Sequence, residues 1–111
     1  EEAVRQINDA GGIPVLAHPL HYEKDLDVGS FAESGIEGLE VYYSDHDRPK
    51  REKYYSVAQD LDLLVTGGSD YHGDVKPDVN LGDVRLPDSF LESLQERSRN
   101  NGAREDLLPR R

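Results

Sequence analysis

The stretch LLVTGGSDYHG, residues 63–73, decides how the chain is read. Leu63, Leu64 and Val65 make a short apolar run of the kind that fills a strand buried on both faces. Gly67, Gly68 and Ser69 follow, small residues that let other backbone approach closely. Asp70 and His72 come next, a carboxylate and an imidazole two positions apart. If the extended backbone continues, Thr66, Gly68, Asp70 and His72 share one side and the two polar groups converge on one point. A strand over 63–68 therefore carries a reactive pair just past its carboxyl end.

The same grammar occurs twice upstream. IPVLA, residues 13–17, reads as a buried strand and ends in His18-Pro19. IEGLEVYY, residues 36–43, reads as a second strand and ends in SDH, with Asp45 and His46. Helical patterns separate these runs. Residues 1–10 place Ala3, Ile7 and Ala10 at helical spacing, and Gly11-Gly12 stops them. A short helix is expected over 28–33, closed by Ser34-Gly35. Another begins near Pro49, which suits a first helical turn. It runs to about Asp60 and buries Tyr54, Val57, Ala58 and Leu61. Past the polar pair, a loop runs through Gly82 and a short edge strand is expected at 84–86. A last helix over 88–100 is capped by Asp88 or Ser89, with Phe90, Leu91 and Leu94 facing inward. The strand–helix alternation predicts an α/β fold with parallel strands and helical crossovers. Residues 1–86 form its main unit, 87–102 a terminal helix, and 103–111 a flexible, Arg-rich tail.

A complete α/β barrel needs ~250 residues, and the chain has 111, starting at Glu1. Part of a larger fold is the expectation. No apolar run is long enough to span a membrane and no signal pattern opens the chain, so a cytoplasmic location is expected. With no cysteine, a metal can be held only by His, Asp or Glu. The 23 acidic and 13 basic residues give a net charge of −10. That field repels nucleic acid unless a local patch or metal reverses it. It also fits a halophilic protein, because salt screens acidic self-repulsion.

All four histidines lie at or just beyond strand ends, at His18, His21, His46 and His72. In parallel α/β folds, ligands gather at the carboxyl ends of strands. Two imidazoles and a carboxylate, His18, His72 and Asp70, form a common ligand set for a catalytic divalent ion. The competing structural reading is a hydrogen-bonded loop histidine with a turn-capping aspartate. Glu40, mid-strand among apolar residues, either orients a ligand or is a paired barrel carboxylate. Lys76 either contacts an anion or is solvated. Arg48, Lys50, Arg51 and Lys53 read as a solvated helix face.

GGIPVLAHP at 11–19, GIEGLEVYYSDHDRPKREKYYSVAQDLDLLVTGGSDYHG at 35–73 and KPDVNLG at 76–82 resemble, in order, the second half of the PHP (polymerase and histidinol phosphatase) domain. Its small metal-dependent phosphoesterases are the most similar branch. The resemblance covers roughly residues 1–86. It implies the C-terminal portion of a distorted, seven-stranded β/α barrel. It further implies that His18, Asp70 and His72 are metal ligands and that His46 holds the substrate phosphate. Two or three divalent ions (Mn, Zn or Fe) would serve the complete enzyme. Its substrate would be a phosphorylated small molecule, a nucleotide or nucleoside bisphosphate, or a short RNA 5′ end. The family's opening H-x-H, a further histidine and a bridging glutamate have no match here. The chain alone is therefore expected to be catalytically silent and to self-associate through an exposed sheet edge. An amidohydrolase-like hydrolase and a non-catalytic interaction module are the rival readings.

Overall fold

The computed structural model describes residues 2–22 and 28–105. Three parallel strands form one sheet in the order β1 (Val15–Leu16), β2 (Gly38–Tyr43), β3 (Leu64–Gly68). The helices are α1 (Glu2–Asp9), α2 (Val28–Glu33), α3 (Arg48–Asp60) and α4 (Asp88–Glu105). The expected alternation of helices and parallel strands is present. No helix among the described residues is long and apolar enough to cross a membrane.

Three of the helices end the same way. After α1, the Gly12 N–H reaches back to the Ile7 carbonyl at 2.9 Å while Gly11 sits at φ 82°. After α2, the Ile36 N–H reaches Phe31 O with Gly35 at φ 105°. After α3, the Leu63 N–H reaches Ala58 O at 2.8 Å with Asp62 at φ 54°. Each pairs a left-handed residue with a six-to-one bond that satisfies an orphan carbonyl and turns the chain toward a strand. At its other end, α3 is capped by Asp47, whose Oδ1 accepts the Lys50 N–H at 3.0 Å, with Pro49 in the first turn.

The core lies between β2, β3 and α3. Leu39, Val41, Tyr54, Ala58 and Val65 are buried together, and Leu16, Leu63, Leu86 and Phe90 pack around them. β2 carries a bulge: Glu40 pairs with Thr66 and Tyr42 with Gly67, leaving Val41 without a partner in the register. The bulge presses Tyr42 onto Gly67. A Cβ on Gly67 would stand 2.7 Å from the Tyr42 Cβ and 2.8 Å from its carbonyl oxygen, so a larger residue cannot be accommodated there.

Several expectations need correction. β1 is two residues long and only half-buried, because it lies at the sheet edge. No strand forms at 84–86; Asp83 and Pro87 bound the segment, and Leu86 packs beside Gly67 instead. Leu91 is 51% exposed. The inward face of α4 follows Phe90, Leu94, Arg97 and Asn101, a strict helical repeat that excludes position 91. That face turns polar along its length. Arg97 pairs with Glu37 at 2.5 Å, and the buried Asn101 donates its amide to Gly12 O at 3.1 Å. The helix reaches Glu105; the rest of the tail lies outside the described residues.

Candidate metal centre

The carboxyl ends of the three strands meet around Tyr43. Its side chain, 4% exposed at the end of β2, stands between the first and third strand ends. The Tyr43 hydroxyl lies 3.4 Å from Asp70 Oδ2, and the ring is 5.7 Å, centroid to centroid, from His18. His21 packs at a tilt against His18, with ring centroids 4.1 Å apart, and approaches the Tyr43 hydroxyl at 3.4 Å. One tyrosine thus bridges the His18 and Asp70 ends of the sheet. Below, the Ser44 hydroxyl donates to Ser69 O at 2.9 Å and ties the β2 and β3 loops together.

The local backbone explains how each side chain arrives. His18 sits at φ 30°, and its N–H donates to Glu40 Oε1 at 2.8 Å. Glu40 thus braces the His18 turn through the backbone. Asp70 sits at φ 59°, so the extended alternation expected through residues 66–72 breaks there. Asp70 and His72 come together through a turn instead. The His72 Nδ1 lies 2.6 Å from Asp70 O and 3.5 Å from Asp70 Oδ1. A carbonyl only accepts, so Nδ1 carries a proton, and in the neutral ring the lone pair is on Nε2.

Asp70 is the electrostatic hub. Its Oδ2 accepts from Lys76 Nζ at 2.9 Å. That bond is the leading cause holding the Asp70 carboxyl below the ordinary carboxylate range, and it raises Lys76 in turn. Burial, reinforced by Asp45, pushes the Tyr43 phenol up. The phenol therefore remains a neutral donor beside the carboxylate.

His46 lies apart from the Asp70 group. It is 6% exposed, between Tyr43 at 5.1 Å and Tyr54 at 4.8 Å. Its Nδ1 donates to Val41 O at 2.8 Å, the carbonyl of the bulged residue, and its Nε2 is buried without a hydrogen-bond partner. A cavity of about 630 Å³ opens beside it, walled by Tyr42, His46, Arg51, Val79 and Arg85 among others. His18, Asp70 and His72 lie outside that lining.

The donors suit a divalent ion in kind: two imidazoles and a carboxylate. His18 Nδ1 is buried without a partner, and His72 leaves Nε2 open. Among the described residues, no three His, Asp or Glu side chains are gathered closely enough to chelate one ion. Tyr43 was not singled out from sequence. The signal was its place after Leu39 and Val41 on the buried side of the second strand, at the strand's carboxyl end.

No protein-family model matches the chain. Over 72 residues, 65% of its length, it is 36% identical to a phosphoribosyl 1,2-cyclic phosphate 1,2-diphosphodiesterase of Eggerthella lenta, covering 28% of that protein. Over 77 residues it is 32% identical to a 3′,5′-nucleoside bisphosphate phosphatase of Chromobacterium violaceum, covering 27% of it. The fold superposes on a crystal structure described as a metal-dependent phosphoesterase of Bifidobacterium adolescentis, with a TM-score of 0.72 and 32% identity. That match covers 86% of this chain and 35% of the other. The chain spans less than a third of the curated relatives it matches. In sequence and fold the chain thus resembles a segment of PHP-like phosphoesterases.

Proposed function

We propose that the chain forms part of the active centre of a metal-dependent phosphoesterase, with His18, Asp70 and His72 as ligands. The observation that carries this is the position of Tyr43 between His18 and Asp70, with His72 turned against Asp70 and with buried His18 Nδ1 left without a partner. Divalent ions in such a site polarise phosphoryl oxygens and make water a better nucleophile near neutral pH. Mn, Zn or Fe, two or three ions per complete centre, suit these donors.

The chain's own residues prepare the site. Glu40 fixes the His18 turn, Tyr43 hydrogen-bonds Asp70, and the Asp70 carbonyl sets the His72 tautomer. His46 steadies the substrate phosphate. Val41 O fixes its tautomer, and the residue lines the neighbouring cavity. The named activities of the relatives support a nucleotide-like phosphorylated small molecule as substrate. A short RNA 5′ end belongs to the same proposal, since it presents the same phosphate. The acidic composition supports a cytoplasmic, salt-adapted setting. The open edge of β1 favours self-association when the chain is alone.

The test is a phosphatase assay with Mn²⁺ on this chain, on its full-length gene product, and on that product carrying His72→Ala. The chain is expected to be silent, the full-length protein active and the variant strongly impaired. Turnover by the chain alone would show that its ligand set suffices. Full activity of the variant would remove His72 from the site.

A further inference from the structure

The cavity beside His46 carries two arginines from different elements. Arg51 stands near the start of α3, half-buried, with its guanidinium 5.3 Å over the Tyr42 ring. Arg85 belongs to the loop before α4 and is exposed. One point anchors both. A Cβ on Gly67 would lie 2.7 Å from the Tyr42 Cβ and 3.4 Å from Leu86 Cδ1. Tyr42 carries Arg51 on its face, and Leu86 is the chain neighbour of Arg85. Among the described residues, no ion pair joins either guanidinium to a carboxylate. In a chain with 23 acidic residues, these two forks of N–H donors remain open to a ligand.

The rest of the wall narrows what can bind. Asp45, Asp78 and Asp83 also line the cavity. Carboxylates repel a bare anion but accept readily from hydroxyls. A ligand suited to both kinds of group is acidic and hydroxylated, as a phosphorylated sugar is. At about 630 Å³ the cavity is of a size that holds a whole small molecule. Resting on the reading that His46 steadies the reacting phosphate, we propose that Arg51 and Arg85 form a second oxyanion subsite in the same cavity. It selects hydroxylated substrates that carry a further acidic group over those with a single phosphate. Arginine suits this task because its planar fork meets an oxyanion with two parallel hydrogen bonds. His18, Asp70 and His72 lie outside the lining, so the selection is measurable without a metal.

NMR titration of the backbone amides tests this on the chain at fixed ionic strength. The probes are fructose 6-phosphate, fructose 1,6-bisphosphate and 6-phosphogluconate, whose second acidic group is a carboxylate. At least one diacidic sugar is expected to bind roughly tenfold or more tightly than fructose 6-phosphate, the gain from added charge-assisted hydrogen bonds. The tighter of the two names the preferred oxyanion. Shifts should centre on residues 42–46, 51 and 83–85, which wall the cavity. Arg51→Gln and Arg85→Gln, each checked for fold by circular dichroism, should each lose most of the preference. Arg48→Gln removes a charge from the same helix, but Arg48 pairs with Glu52 and lies outside the lining, so its preference should match wild type. Equal affinity for all three sugars, shifts centred elsewhere, or no binding at all overturns the subsite. So does a preference retained by both cavity variants, or one lost equally in Arg48→Gln, which would reduce the effect to overall charge. Undiminished binding of fructose 6-phosphate by a folded His46→Gln removes His46 from the phosphate reading and leaves the arginine subsite in place.

Discussion

The two flanks of β2 are built on different principles. Toward β3, register runs the length of the strand and α3 closes over Leu39, Val41 and Val65. Toward β1, only Val15 and Leu16 pair, and α1 has no buried residue. The site straddles this divide. Asp70 and His72 extend from the well-packed flank, whereas His18 rests on the sparse one and is held by a hydrogen bond to Glu40. The lesson is that a site can be assembled from one part fixed by close packing of the core and another fixed by a polar brace and ring contacts.

Core substitutions should show the contrast most strongly. Leu39→Ala, at a fully buried position, is expected to cost about 2–5 kcal/mol in urea unfolding. Ile7→Ala on α1, 39% exposed, should cost under about 1 kcal/mol. Similar losses at both would erase the distinction between the flanks. Gly67→Ala forces a methyl against Tyr42 and should cost about 1–3 kcal/mol, lowering the urea midpoint.

Asn101→Ala sharpens the comparison from the other side, since it cuts the tie between α4 and the sparse flank at Gly12. About 1–2 kcal/mol should be lost, with amide exchange rising first around residues 9–14. Molar KCl should raise the melting temperature by a few degrees, because screening acts within ~10 Å at 0.1 M and the net charge is −10. A flat or falling melting temperature counts against salt adaptation.

The smallest effect is expected from pH. Asp70 is held below its ordinary value of 3.8, so its contribution is present above about pH 4 and fades as pH falls through the lower folded value. Lys76 is raised above 10.5, so its contribution is present below that value and fades as pH climbs past it. Comparing Asp70→Asn with wild type, the stability gap should be flat between these limits and narrow at either extreme. A gap unchanged at pH 3 would mean that the pair does not stabilise the fold.

Much of the fold was legible because strong local signals agreed with the tertiary arrangement. The apolar runs became strands, and Gly11 and Gly35 ended helices where only a left-handed residue fits. Asp62 performs the same task without glycine, so the end of α3 near Asp60 was legible but its left-handed residue was not. The 84–86 strand failed because Leu86 packs by its side chain beside Gly67 and the segment does not pair along β3. On α4, periodicity revealed Phe90 and Leu94 but not the polar continuation at Arg97 and Asn101, because an apolar search passes over residues buried for their hydrogen bonds. In the site, the residues at strand ends were legible. The bridging role of Tyr43 was not, because it depends on which strands are neighbours. The pairing of Lys76 with Asp70 depends on a loop closure that spacing alone does not specify.

His18 and Asp70 share one further property: neither is glycine, yet both sit in the left-handed region, at φ 30° and 59°. Such conformations cost on the order of 1–3 kcal/mol each where the side chain resists them. Glycine would adopt either geometry with less strain. Laboratory evolution under heat alone would thus drift toward glycine at positions 18 and 70, enriching hardier proteins stripped of an imidazole and a carboxylate. Only a concurrent demand for chemistry would hold those side chains in place, so the two positions would record which pressure a lineage had experienced.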